Sequence, residues 1–168
     1  TFRLLSEVGS FSELAVSDMK PVEIPKNGSV KLYSGEGYLD ILDEYDVVFK
    51  SPGVVLPDKI EEYSCRITSQ TELFLMKYGK QVVGITGTKG KSTTSSHMSH
   101  VLSLNNVPCI LAGNIGIPVF DIIDELTDST VVVFEMSCHQ LENLTISPAT
   151  AIFLNLYEDH LDHYGTFE

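Results

Sequence analysis

The sequence predicts an α/β fold in two parts, each with a parallel sheet. Short apolar runs of strand length alternate with stretches of helical spacing along the chain, the order that βα crossovers produce. One such run, Val82, Val83 and Ile85, stops at a loop carrying Gly84, Gly87 and Gly90, and Lys91, Ser92, Thr93 and Thr94 then open a helical pattern. Strand, glycine loop and helix start in that order form a phosphate loop. Residues 1–79 are therefore expected to be a partial Rossmann-like parallel-sheet domain, and 80–168 part of a P-loop parallel-sheet ATPase domain.

Taken in order, Phe2, Leu4, Leu5 and Val8 have helical spacing that stops at Gly9. Residues 14–16 read as a strand ending at Asp18, 30–33 as a second, and 38–44 as a short helix. Asp46 to Phe49 reads as a buried strand that runs into the Ser51-Pro52-Gly53 turn. Ser69 and Glu72 have capping-box spacing and start a helix carrying Leu73, Phe74 and Met76. Tyr78-Gly79-Lys80 ends it. After the loop, Met98, Val101 and Leu102 give the next helix a core face, and Asn105-Asn106 can end it, since Asn tolerates the left-handed backbone. Residues 108–111 read as a strand running into Gly113-Asn114, 118–126 as a helix opened by Pro118, 130–134 as a buried strand ending at Glu135, 137–142 as a connection, and 149–154 as a further buried strand leading to His160.

Composition narrows the function. At 168 residues and 43% hydrophobic, a chain of this size buries roughly 70% of its unfolded surface, enough for one domain or two small ones. A net charge of −12 argues against nucleic-acid or anionic-membrane partners, because backbone phosphate would be repelled. Between residues 81 and 168 there are ten acidic residues and only two lysines, Lys89 and Lys91, both in the loop. Cations kept for solubility would be scattered, so the loop is marked as an anion site. Cys65, Cys109 and Cys138 are odd in number and widely spaced, which suggests neither a disulfide framework nor a zinc site and points to a reducing cytoplasm. No apolar run approaches the 18 residues of a membrane span. Thr1 is not an initiator residue and the chain opens inside a helical pattern, so a piece of something longer is expected.

The loop residues Gly87, Thr88, Lys89, Gly90, Lys91, Ser92 and Thr93 are the expected nucleoside triphosphate contacts. Lys91 reaches the outer phosphates, and Ser92 ligates Mg²⁺. Glu135 follows five apolar or β-branched residues, so its carboxylate lies near a low-dielectric interior where a cation would offset the cost of burial. The competing reading is a strand-end carboxylate in solvent or paired with a lysine. Residues 158–163, Glu-Asp-His-Leu-Asp-His, are rich in ligands, and the place of His160 beyond the last strand makes it the expected metal ligand among them. His163, Asp159 and Asp162 rank below it, His139 is undecided, and His97 and His100 read as structural or solvated. Cys138 finds no oriented base in the sequence and is not read as a nucleophile. Strand ends in parallel sheets carry ligand sites, which places Asp18 and Ser51 at candidate substrate loops; they read equally well as turn residues.

Four motifs in order, the 84–94 loop, Gly113-Asn-Ile-Gly116, Phe134-Glu-Met-Ser-Cys-His-Gln-Leu-Glu142, and Asn155 with Glu158-Asp-His-Leu-Asp162, resemble those of the Mur ligases. The resemblance implies a cytoplasmic ATP-dependent ligase of peptidoglycan precursor synthesis. A substrate carboxylate would attack the γ-phosphate of ATP to give an acyl phosphate, and an amine would then displace phosphate to form an amide. It implies UDP-N-acetylmuramoyl-L-alanine and D-glutamate as substrates. It also implies catalytic roles for Lys91, Glu135 and His160, one Mg²⁺ on Ser92 and Glu135 and a second on His160, and substrate contacts at Asn114, Ser137 and Gln140. Lys89 stands where these ligases commonly carry Asn and where the related folylpolyglutamate synthases often carry Lys, and Cys138-His139 replaces a more usual Ser-Phe pair. By the same resemblance a carbamylated lysine and a third domain would lie past Glu168, so 1–168 is not expected to complete the reaction alone. The alternatives are a related amide ligase such as folylpolyglutamate synthase and a noncatalytic nucleotide-binding module.

Overall fold

The computed structural model describes Leu5, Glu7, residues 10–23 and residues 30–166. The helix expected at the start of the chain therefore lies mostly outside the described residues. The described chain divides into two compact units, one running up to Phe49 with Leu56–Ile67, the other made of Lys50–Val55 and the residues from Thr68 on.

In the first unit, β1 (Leu14–Asp18) pairs in parallel with β2 (Val30–Ser34), Leu14 opposite Val30 and Asp18 opposite Ser34. The helix expected over 38–44 is instead a run of turns closed by one 3-10 turn, Leu42–Glu44. Only Leu42 of that segment is fully buried, with Tyr38, Leu39 and Ile41 half-buried, too narrow an apolar stripe to require a full amphipathic helix. Next, β3 (Val47–Phe49) and β4 (Arg66–Thr68) form a two-stranded sheet. β3 is not fully buried as expected, because Val47 is 47% exposed. β4 is too short to show a period, and the sequence does not announce it. Asp43 ties the 3-10 turn to the start of β4: its carboxylate accepts from the Ser64 N–H at 2.7 Å and hydroxyl at 3.0 Å.

The second unit is built on a four-stranded parallel sheet of β5 (Val82–Thr86), β6 (Cys109–Gly113), β7 (Val131–Glu135) and β8 (Thr150–Phe153), in the order β6-β7-β5-β8. Central β7 is Val131, Val132, Val133, Phe134 and Glu135, and Val132 through Glu135 are buried. Such an uninterrupted apolar run is what a strand covered on both faces requires. β8 lies at the sheet's end. Its residues are half-buried or exposed, Phe153 at 63%, so the fully buried strand expected at 149–154 is an edge strand.

Helix α1 (Gln70–Tyr78) packs Phe74 and Leu75 into the core, with the Phe74 ring edge-on to Phe134 at 5.9 Å. Leu75 faces inward and Met76 is 54% exposed. Ser69 caps the helix, accepting from the Glu72 N–H at 3.1 Å. The reciprocal half of the expected capping box is not made, since the Glu72 carboxylate accepts from the Thr68 and Thr145 hydroxyls, each at 2.7 Å. Helix α2 (Lys91–Leu104) follows the loop and ends as expected, with Asn106 left-handed at φ 56°. Its inner face differs from expectation: Ser95 is buried and Val101 is 54% exposed. Residues 118–126 form turns and a 3-10 turn, Ile123–Glu125, rather than a helix. Val119 and Ile122 still enter the core, because one turn suffices to bury residues three apart. Two one-turn helices, α3 (Cys138–Leu141) and α4 (Leu161–Tyr164), complete the unit.

Candidate active site

Because β5 to β8 are all parallel, their carboxyl ends share one edge. The register levels Ile85, Gly113 and Glu135 on a single rung across β5, β6 and β7. The phosphate loop, Asn114, Glu135 and the segment after β8 therefore leave the sheet on the same side, where open parallel sheets bind ligands.

The loop residues 87–90 lie between β5 and α2. Gly87 (φ 140°) cannot carry a side chain, because a Cβ there would stand 3.0 Å from both the Asn155 carbonyl and the Leu154 Cβ. The segment after β8 grips the loop closely. Thr88 N–H donates to Asn155 O at 3.1 Å, Lys89 N–H to Asn155 Oδ1 at 2.9 Å, and Asn155 Nδ2 returns a bond to Lys89 O at 2.9 Å. Tyr157 N–H donates to Thr88 Oγ1 at 2.9 Å, and the Lys89 ammonium lies 5.6 Å from the Tyr157 ring centroid.

Helix α2 opens at left-handed Gly90 with no side-chain cap and no acid in its first turn. Its first amides have no partner within the helix, and they carry the positive end of the helix dipole. A lysine as first residue is the wrong charge for that end, and an anion reconciles the two. Lys91 Nζ is held over the loop by Gly87 O at 2.7 Å and Thr88 O at 3.1 Å, which leaves one of its three donors. Ser92 and Thr93 are exposed on the same turn.

Glu135 is 1% exposed. It is neither in solvent nor paired with a lysine. Its Oε1 accepts from Asn114 Nδ2 at 3.0 Å, and Asn114 N–H donates to the Glu135 carbonyl at 2.9 Å. Among the described residues Oε2 is buried without a partner. A buried carboxylate oxygen left open costs folding free energy, of order 1–3 kcal/mol or more for a charged group; a hard divalent cation would use it. Gly113 (φ 108°) permits this approach, since a Cβ would collide with the Glu135 carbonyl and the Phe134 ring.

Ser137 and Gln140 form a complete capping box that holds α3 together. Ser137 Oγ accepts from Gln140 N–H at 3.3 Å, and Gln140 Oε1 accepts from Ser137 N–H at 2.9 Å. Gln140 also lines a small cavity of about 90 Å³ with Gly113, Thr71 and Pro118. His160 is exposed and left-handed (φ 53°), at the start of α4, with its ring 5.0 Å from that of His139. Its nitrogen, a His139 nitrogen and the Cys138 thiol lie within 4.8 Å of one another, so Cys138 does have imidazole neighbours that its sequence position hides. Ser51 opens a turn through Gly53 in this unit. Asp18 ends β1 in the other unit, with its carboxylate accepting from Lys20 N–H at 2.8 Å.

The sequence reading missed one group. His139 on α3 and Glu142 just past its end meet His163 of α4, 21 residues beyond Glu142, with Glu142 Oε1 at 2.5 Å from His163 Nε2 and 3.9 Å from His139 Nδ1. Burial alone would raise the Glu142 carboxyl, but hydrogen bonds from His163 and Tyr164, with the His163 and Lys50 charges, outweigh it and hold it below the ordinary range. His139 to Glu142 is an i,i+3 spacing visible in the sequence; the third partner is not.

A glycine loop closing on an uncapped helix start, beside a buried strand-end carboxylate at the carboxyl edge of a parallel sheet, is the arrangement of a P-loop α/β domain. Residues 85–168 match the Mur ligase middle domain, and the chain belongs to that family. It is 33% identical to UDP-N-acetylmuramoylalanine--D-glutamate ligase of Acetivibrio thermocellus over 99% of this chain and 37% of that protein. To the enzyme of the same name from Clostridium botulinum it is 39% identical over 83% of this chain and 31% of that protein. The chain thus spans about a third of the length of these relatives. A crystal structure of UDP-N-acetylmuramate:L-alanyl-gamma-D-glutamyl-meso-diaminopimelate ligase from Neisseria meningitides aligns with TM-score 0.45 and 16% identity, over 84% of this chain and 53% of that one. Among the described residues no helix is long and apolar enough to cross a membrane.

Proposed function

We propose that this chain contributes the nucleotide site of an ATP-dependent amide ligase that joins D-glutamate to UDP-N-acetylmuramoyl-L-alanine in the cytoplasm. The observation that carries the ATP part is the pairing of an uncapped, lysine-bearing helix start with Glu135, whose Oε2 is buried and open. A site for phosphate alone would not need a desolvated carboxylate beside it; a metal–phosphate site does. The substrate assignment rests on the names of the relatives.

Lys91 and the amides of 87–93 would hold the phosphates. Ser92 and Glu135 would hold Mg²⁺, with Asn114 fixing one Glu135 oxygen so that the other faces the ion, and His160 would serve a second Mg²⁺. When bound, Mg²⁺–ATP supplies the phosphoryl group that turns the acceptor's carboxylate into an acyl phosphate, which the D-glutamate amine opens with loss of phosphate. Asn114, Ser137 and Gln140 would face the muramoyl substrate, and the loops at Asp18 and Ser51 its nucleotide end. The test is to give the whole gene product ATP and D-glutamate with either UDP-N-acetylmuramoyl-L-alanine or a folate. Phosphate release is expected with the first; release only with the folate would overturn the assignment.

A further inference from the structure

Helices α3 and α4 are four residues each, far below the length at which a helix is stable by itself. Between them lie His139, Glu142 and His163, with side chains 22%, 21% and 15% exposed. One ligand atom from each lies within 4.8 Å of the other two. A tetrahedral ion with bonds of 2.0–2.2 Å spaces its ligand atoms by about 3.4 Å. The two separations from Glu142 Oε1, 2.5 Å to His163 and 3.9 Å to His139, bracket that value. Closing on an ion takes shifts of under an ångström for these two, and no change of fold.

The surroundings orient the three groups. Lys50, only 9% exposed, takes the other oxygen of Glu142 at 3.4 Å, which leaves Oε1 toward the imidazoles. The Tyr164 ring stacks on His139 at an interplanar angle of 13°, which sets the plane of that imidazole. Outer partners that fix ligand orientation are characteristic of metal centres. Two neutral nitrogens and one carboxylate oxygen suit a borderline transition-metal dication and not Mg²⁺, which wants oxygen.

We propose that His139, Glu142 and His163 form a transition-metal site of the Zn²⁺ class, additional to the phosphate-loop site, that clips α4 onto α3. The proposal does not depend on the ligase reading. Its consequence is to fasten the exit of β8, which grips the phosphate loop, to the exit of β7, which carries Glu135.

Metal-free protein titrated with Co²⁺ should bind one equivalent and develop the visible absorption of a tetrahedral site, and Zn²⁺ should displace it. Zn²⁺ affinity, read by competition with a chromophoric chelator, should fall roughly a hundredfold or more in Glu142→Gln and in His163→Ala. It should be unchanged in Cys138→Ser and in the His97→Ala/His100→Ala double variant on α2. Zn²⁺ should also raise the thermal midpoint of the parent but not of Glu142→Gln. Failure of the parent to bind Zn²⁺ at micromolar concentration would overturn the site, and that measurement needs no variant to fold. So would binding that survives both Glu142→Gln and His163→Ala, or binding lost in Cys138→Ser but kept in Glu142→Gln, which would move the ion to Cys138, His139 and His160.

Discussion

At the scale of single residues, Lys91 and Glu135 carry opposite costs. Lys91 sits at the end of a helix that repels it, and Glu135 holds a buried oxygen without a partner. Both are unfavourable for folding and favourable for Mg²⁺–ATP, the pattern expected where a site is maintained for function. In the whole gene product, Lys91→Ala should lose about 3 kcal/mol of transition-state stabilisation, the typical loss of one electrostatic donor. ATP-dependent phosphate release measures it, and unchanged turnover would refute the assignment. For Glu135 the two effects separate. Glu135→Gln should leave the denaturation midpoint unchanged or raise it, since an amide costs less to bury than a carboxylate, while the Mg²⁺ concentration needed for activity rises. A destabilised variant with unaltered Mg²⁺ dependence would mean that the carboxylate is structural.

At the scale of elements, legibility followed burial. β5 and β7 were plain because their apolar runs have no other use, and the phosphate loop because its glycines and two lysines stand in an otherwise acidic half. The segments at 38–44 and 118–126 misled, because Leu42, and Val119 with Ile122, are buried from single turns and a 3-10 turn presents the same spacing as an α-helix. β8 misled for another reason: its apolar content promised burial, but strand order put it at the sheet's end, and order is not written in composition. The His139–Glu142–His163 group escaped because its members lie on or beside two short helices that only the fold brings together. Asp43 gives an element-scale prediction. Hydrogen bonds from the Ser64 amide and hydroxyl hold its carboxyl below the usual aspartate range. Its folded pKa is depressed, so its contribution is present above the unfolded value and is lost as pH falls through the folded one. Asp43→Asn should therefore lower the urea midpoint at pH 7, and the gap to the parent should close in strong acid. A gap independent of pH would show that the charge is not what ties Ser64 to the 3-10 turn.

At the scale of the whole molecule, the chain is strongly acidic, so a polyanionic ligand at the loop depends on local charge. With a net charge of −12, the long-range field opposes a nucleoside triphosphate, and the loop amides with Lys89 and Lys91 supply the local positive charge that offsets it at the proposed site. Screening by salt should therefore ease nucleotide entry while weakening capture at the loop. The grip of Asn155 and Tyr157 on Thr88 and Lys89 has a further consequence. With the Thr88 hydroxyl also donating to Tyr157 O at 3.2 Å, five hydrogen bonds make the loop and the segment after β8 one cooperative body, so the two cannot respond to ligands independently. Whatever factor a nucleotide contributes to ordering residues 155–164, anything that orders 155–164 returns to nucleotide affinity, because thermodynamic linkage is symmetric. A ligand read at one end of this body is a ligand reported at the other.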